Sequence, residues 1–143
     1  MRLTAAIAIA GCACCILTAF GAAHASTLGI GARARAFVSG LNSPTRATSV
    51  RQLAPSIKAR VRTGPWAHYV GRARVQWVED GFGTNCALTV IRESASPHVV
   101  RAEVEELRDE NHPCVGGQLG TRVVFVFGFD SSGHVATLSL QNP

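Results

Sequence analysis

The spacing of apolar residues changes along this chain, from the three-to-four-residue repeat of a helix to the alternation of a strand. Residues 28–41 repeat at helical spacing, with Phe37 and Leu41 on the apolar face. In residues 57–62 apolar and basic side chains alternate, which predicts a half-buried strand. Helices followed by strands indicate an α+β fold, in which the helices pack on one face of a sheet.

Turn signals divide the N-terminal half further. Ser43-Pro44 predicts the start of a short second helix, because Ser is a good N-cap and Pro suits the first helical position; Pro55 predicts its end. Gly64-Pro65 predicts a turn, followed by a short extended piece over residues 66–70. Gly71-Arg72 then predicts the start of a third helix that closes by Gly81.

The C-terminal half predicts a run of four antiparallel strands. Residues 121–129 are apolar on both faces, so this strand is expected near the centre of the sheet. We therefore expect N-terminal helices packed on a curved, mainly antiparallel sheet. The four predicted strands are 87–93, 98–107, 121–129 and 134–140, with turns at 94–97 and 130–133 and a loop at 111–120.

The first 25 residues have the three parts of a secretory signal peptide in order. They begin with the positive Met1-Arg2, continue with an uncharged apolar stretch and end on Ala23-His24-Ala25. We expect cleavage after Ala25, leaving residues 26–143 as one domain, periplasmic or extracellular, with no membrane span. An uncleaved N-terminal anchor is one alternative. A lipoprotein is another, because the segment ending at Cys12 resembles a lipobox, although the apolar run before it is short.

Two cysteines, Cys86 and Cys114, remain in the exported part. In an oxidising compartment an even pair predicts one disulfide. It would close a loop of about 29 residues and contribute on the order of 3–4 kcal/mol in the chain-entropy model. The alternative is a pair of free buried thiols.

The charge is distributed unevenly. Residues 26–78 contain nine basic and no acidic residues, whereas all nine acidic residues follow Val78. Two interpretations are open: the basic half binds an anionic ligand or surface, or the two oppositely charged halves pack on each other. The spacing of the basic residues favours the second. Export argues against nucleic acid as a partner. The histidines and the two remaining cysteines lack metal-ligand spacing, so we expect neither a metal nor a cofactor.

The order of elements and three short motifs resemble the nuclear transport factor 2-like superfamily, of SnoaL-like polyketide cyclase type. The motifs are Leu53-Ala54-Pro55 before a strand, Tyr69-Val70-Gly71-Arg72 before a helix, and residues 127–135, which resemble the closing hairpin. The resemblance implies a cystatin-like cone of curved sheet, with helices at its mouth and a pocket inside. The superfamily includes isomerases, cyclases and many non-catalytic binders, so the fold does not imply a function.

One departure from the superfamily bears on catalysis. Many catalytic members carry an acidic residue just after the position of Leu53-Ala54-Pro55, where it can serve as a general base at carbon. Here that position is Ser56, whose hydroxyl is too weak a base alone. The departure favours a non-catalytic binder over the alternative, an enzyme of lyase or isomerase type.

Four residues are candidates for a ligand pocket: Trp66, His68, Tyr69 and Phe125. The first three cluster beside the expected mouth of the cone, and aromatic side chains with a polar tip suit ligand pockets. The alternative is a core tryptophan with exposed neighbours. A third hypothesis is a structural or partner-binding envelope protein, possibly a homodimer through its open sheet face.

Overall fold

The computed structural model describes residues 27–84, 86–107, 114 and 122–143. The predicted signal peptide 1–25, with its lipobox at Cys12, lies outside the described residues, as does most of the predicted loop 111–120. No helix in the described part of the chain is both long and apolar enough to cross a membrane. The elements are α1 (Thr27–Leu41), α2 (Ala47–Gln52), β1 (Leu53–Val61), β2 (Ala67–Val70), α3 (Arg72–Gly81), β3 (Leu88–Ser96), β4 (Val99–Glu106), β5 (Arg122–Phe129) and β6 (Val135–Gln141).

The six strands form one mixed sheet in the order β2-β1-β6-β5-β4-β3. The predicted run of four antiparallel strands, β3 to β6, is confirmed, and β1 then pairs parallel to β6. The pairing slips at three places: between Leu53 and Lys58, between Val90 and Arg92, and between Gly128 and Phe129. Such irregularities bend strands and increase their twist, which accounts for the curvature of the sheet.

Helix α1 packs its predicted apolar face against the inner face of this sheet. Phe37 is fully buried and meets Phe127 of β5 edge-on, with ring centroids 5.6 Å apart. The inner row of β5 continues with Phe125 and Phe129, while Val124 on its other face is only 3% exposed. The predicted central position of this strand is confirmed, because β5 lies between β4 and β6, whereas its outer face is buried at Val124 and only half-buried at Val126.

The second helix begins later than the sequence predicts. It starts at Ala47, and Ser43 instead forms a turn whose carbonyl accepts the Arg46 N–H at 3.2 Å. Arg46 has a φ of 54°, a left-handed conformation that breaks the helical path. Pro55 does not end this helix; it lies inside β1, where the pairing with β6 is irregular.

The turn between β3 and β4 is also shorter than predicted. Residues 94–96 belong to β3, and only Pro97 and His98 reverse the chain. Ser94 pairs with Arg101 and Ser96 with Val99, so the ladder overrides the local turn propensity of this segment. Val61, at the end of β1, is 52% exposed, and the pairing of β1 with β2 ends two residues earlier at Ala59.

The two cysteines meet as predicted. Cys86, just before β3, and Cys114 lie at disulfide distance, with Cα atoms 5.1 Å apart, and both are buried. The carbonyl of Cys114 accepts the Gly83 N–H at 2.7 Å, and both Glu106 carboxylate oxygens accept the Cys114 N–H at 2.8 Å. The backbone around the bridge is therefore held on both sides by hydrogen bonds.

Candidate functional site

Helix α3 folds back over strand β2 and forms an aromatic cleft with it. Gly71, between the two elements, has a φ of 56°, which glycine adopts without a steric penalty. The reversal stacks Tyr69 of β2 on Trp77 of α3, with ring centroids 5.4 Å apart and planes 26° apart. Trp77 in turn meets Phe82 edge-on at 5.6 Å, so three rings form a continuous wall.

This wall borders a cleft of about 170 Å³. Its lining is mainly aromatic and aliphatic, and the titratable side chains among the described lining residues are Arg60 and Tyr69. Apolar walls with few polar groups are typical of small-molecule sites, although most of those are larger, about 300–1,000 Å³. The lining residues are Ala59, Arg60, Val61, Pro65, Ala67, Tyr69, Trp77, Gly81, Phe82 and Leu140.

The four residues predicted for the pocket occupy different environments. Tyr69 lines the cleft. Phe125 is fully buried in the core, with its ring centroid 6.3 Å from that of Phe82. Trp66 is 45% exposed and lies under the Arg60 guanidinium at 4.5 Å. His68 points away from Tyr69, because successive strand residues face opposite sides of the sheet.

Trp77 and Phe82 lie in the cleft although the sequence interpretation did not single them out. Their side chains come from helix α3 and the residue after it. A signal was present, since Trp77 is one of two tryptophans in the chain. Its stacking on Tyr69, however, depends on the left-handed turn at Gly71, which apolar periodicity does not reveal.

Ser56 and His68 form a hydrogen-bonded pair on the outer face of the β1–β2 hairpin. The Oγ of Ser56 lies 2.6 Å from Nε2 of His68, and both residues are exposed. A nucleophilic serine also needs a group that orients the imidazole and donors for an oxyanion. No carboxylate contacts His68 in the described part of the chain. An acid at position 56 would lie on the outer face too, since Ser56 precedes the buried Ile57.

No protein-family model matches the sequence, and no curated protein matches it. Solved structures do. A cystatin-fold protein of uncharacterised function from Novosphingobium aromaticivorans superposes with a TM-score of 0.59 at 13% identity, over 78% of this chain and 96% of that one. A protein provisionally assigned as a ketosteroid isomerase, from Kribbella flavida, gives 0.57 at 20% identity, over 82% and 79%. A provisionally assigned hydroxylase from Streptomyces galilaeus gives 0.59 at 14%, over 80% and 79%.

These neighbours share the curved-sheet α+β cone. The chain therefore has the fold of the nuclear transport factor 2-like, SnoaL-like proteins, as the sequence motifs indicated. Identities of 13–20% establish the fold and not the chemistry, because this cone hosts both enzymes and binders.

Proposed function

We propose that the protein is an exported, non-catalytic domain that binds a small apolar molecule in the cleft between β2 and α3. The observation that carries the proposal is the stacked pair Tyr69–Trp77 extended by Phe82, three rings that line a single cleft. Aromatic rings offer a large apolar area with few rotatable bonds, so they bind a flat apolar ligand at low entropic cost.

The size of the cleft restricts the ligand. A volume of about 170 Å³ is close to that of an engineered protein cavity of about 150 Å³ that binds benzene. The ligand is therefore of the size of one substituted ring or a short aliphatic chain. Arg60 also lines the cleft, but its guanidinium lies over Trp66, which does not.

The chemistry of the lining supports binding over turnover. A lyase or isomerase that acts at carbon needs a general acid or base whose pKa lies near the working pH. The ionisable side chains among the described lining residues are an arginine and a tyrosine, so neither a carboxylate nor an imidazole lines this part of the cleft. Export rests on the signal-peptide pattern of residues 1–25.

The test is binding of toluene to the exported protein, followed by ligand-observed NMR. Ala67→Phe places a ring in the cleft from an exposed strand position, so it should preserve the fold and reduce toluene binding at least tenfold. Tyr69→Ala and Trp77→Ala should weaken binding as well. The matched control is Trp66→Ala, which removes an aromatic ring that does not line the cleft. Equal toluene binding by the wild type and Ala67→Phe would contradict the proposal.

A separate observation supports a second candidate function, the binding of a protein partner or of a second copy of this chain. Strand β2 is an edge of the sheet, and three exposed apolar side chains surround it: Val61, Trp66 and Val70, at 45–56% exposure. Edge strands with exposed apolar residues pair readily with other chains. Light scattering tests the homodimer. A wild-type dimer that Val70→Lys dissociates would support it. A wild type that remains a monomer up to millimolar concentration would exclude it.

A further inference from the structure

A second cavity contains an arginine whose charge no described side chain balances. Arg46, in the turn before α2, is only 5% exposed. Its Nη2 donates to the Gly83 carbonyl and lies 3.6 Å from Sγ of Cys86. Its Nη1 is buried without a hydrogen-bond partner. No carboxylate forms an ion pair with Arg46 in the described part of the chain.

This arrangement is costly in two ways. A buried donor without a partner costs about 1–3 kcal/mol, and more when the group is charged. Burial accordingly lowers the pKa of the Arg46 guanidinium, although an arginine stays protonated. In addition, the φ of 54° is unfavourable for a residue with a side chain, by about 1–2 kcal/mol. Costs of this kind persist where another interaction compensates for them.

The residues around the guanidinium indicate which interaction compensates for the cost of its burial. Arg46 lines a cavity of about 450 Å³ together with Pro44, Thr45, Glu79 and Thr84. The two threonines bring hydroxyl groups, which donate hydrogen bonds to oxyanions. We propose that this cavity binds a small oxyanion (phosphate, sulfate or a carboxylate) that pairs with the charge of the Arg46 guanidinium. The site is distinct from the aromatic cleft, and the inference does not depend on the proposed ligand there.

Glu79 is the residue that opposes an anion in this cavity. Its carboxylate is exposed and repels a second negative charge, so it should limit affinity. Alternatively, Glu79 itself moves onto Arg46 in solution and serves as its partner. The two possibilities predict opposite effects of Glu79→Gln: tighter anion binding in the first, and a loss of stability without added anion in the second.

The primary experiment needs no variant. The exported protein is titrated with phosphate, and separately with acetate, against chloride at the same ionic strength and pH, while its thermal unfolding and the arginine side-chain NMR signals are recorded. We expect a saturable rise in melting temperature beyond that in chloride and a shift of one buried guanidinium signal. If neither phosphate nor acetate has an effect beyond that of chloride, the proposal is overturned. Response to acetate but not phosphate identifies a carboxylate ligand.

Variants assign the effect to Arg46. Arg46→Gly removes the guanidinium and accepts the left-handed φ, so it should fold yet bind phosphate at least tenfold more weakly. Arg46→Lys keeps the charge and loses the planar guanidinium, so its phosphate affinity should lie between those of the wild type and Arg46→Gly. The control is Arg72→Ala, which removes an exposed arginine outside the cavity and should bind as the wild type does. Equal phosphate affinity in Arg46→Gly and the wild type, or destabilisation by Glu79→Gln in anion-free buffer, overturns the proposal.

Discussion

Asn42 and Leu88 exchange two hydrogen bonds. The side-chain amide of Asn42 donates to the Leu88 carbonyl at 2.9 Å, and the Leu88 N–H donates to the Asn42 side-chain oxygen at 2.8 Å. Asn42 follows the last residue of α1, and Leu88 is the first residue of β3. The side chain thus satisfies the backbone at the start of an edge strand and joins the helical layer to the sheet.

Asn42→Ala should therefore destabilise the fold by about 1–2 kcal/mol, because both groups of Leu88 lose a partner in a half-buried place. Urea unfolding followed by circular dichroism measures the change. Asn42→Asp is the informative comparison, because it keeps the acceptor and loses the donor. Its free energy of unfolding should lie between those of the wild type and Asn42→Ala. A change below about 0.3 kcal/mol would mean that water replaces both bonds.

Removal of the bridge between Cys86 and Cys114 should cost more. The two residues are 28 positions apart, and in the chain-entropy model opening such a loop costs on the order of 3–4 kcal/mol. The double variant Cys86→Ser/Cys114→Ser should show this loss in urea unfolding, and reductant should change the stability of the wild type but not of the variant. A wild type insensitive to reductant under unfolding conditions would contradict the disulfide.

Gly128 should not tolerate a side chain. A Cβ at this position would overlap Oγ1 of Thr137 on the neighbouring strand β6. We expect Gly128→Ala to cost about 1–3 kcal/mol through overpacking. Because the obstacle is one hydroxyl, Gly128→Ala/Thr137→Gly should recover most of the loss, and Thr137→Gly alone provides the reference for a double-mutant cycle. Additive effects of the two changes would show that the strain lies elsewhere.

The Ser56–His68 pair should be chemically ordinary. Both residues are exposed, so Ser56→Ala and His68→Ala should each change the free energy of unfolding by less than about 0.5 kcal/mol. Because no carboxylate in the described residues orients His68, the serine should not react with a fluorophosphonate probe, and intact-mass measurement can establish this. Labelling at Ser56 that His68→Ala abolishes would reveal an activated nucleophile.

Much of the architecture was predictable because it follows from periodicity. The apolar face of α1 around Phe37, the alternation in β1 and the double-sided apolar strand β5 all reflect burial that each segment needs regardless of its neighbours. Boundaries were less predictable. The turn before β4 consists of Pro97 and His98 and not of the predicted residues 94–97. Residues 94–96 pair with β4, and this pairing outweighs their preference for a turn.

The candidate site followed the sequence only in part. Tyr69 was expected at a pocket mouth and lines the cleft, but its partner Trp77 depends on the chain reversal at Gly71. Trp66 and His68 were grouped with Tyr69 because they are near it in sequence. On a strand, however, successive side chains point to opposite faces of the sheet. Residues adjacent in the sequence therefore do not line the same pocket.

The class of the fold, the central strand and the pairing of Cys86 with Cys114 could be predicted from the sequence, because burial patterns and an even number of thiols are local or compositional properties. Which aromatic rings form a cleft, and that Arg46 is buried with no counter-charge among the described residues, became clear only from the folded chain. Both depend on contacts between residues distant in the chain and on left-handed backbone at single positions. Neither has a periodic signal in one sequence.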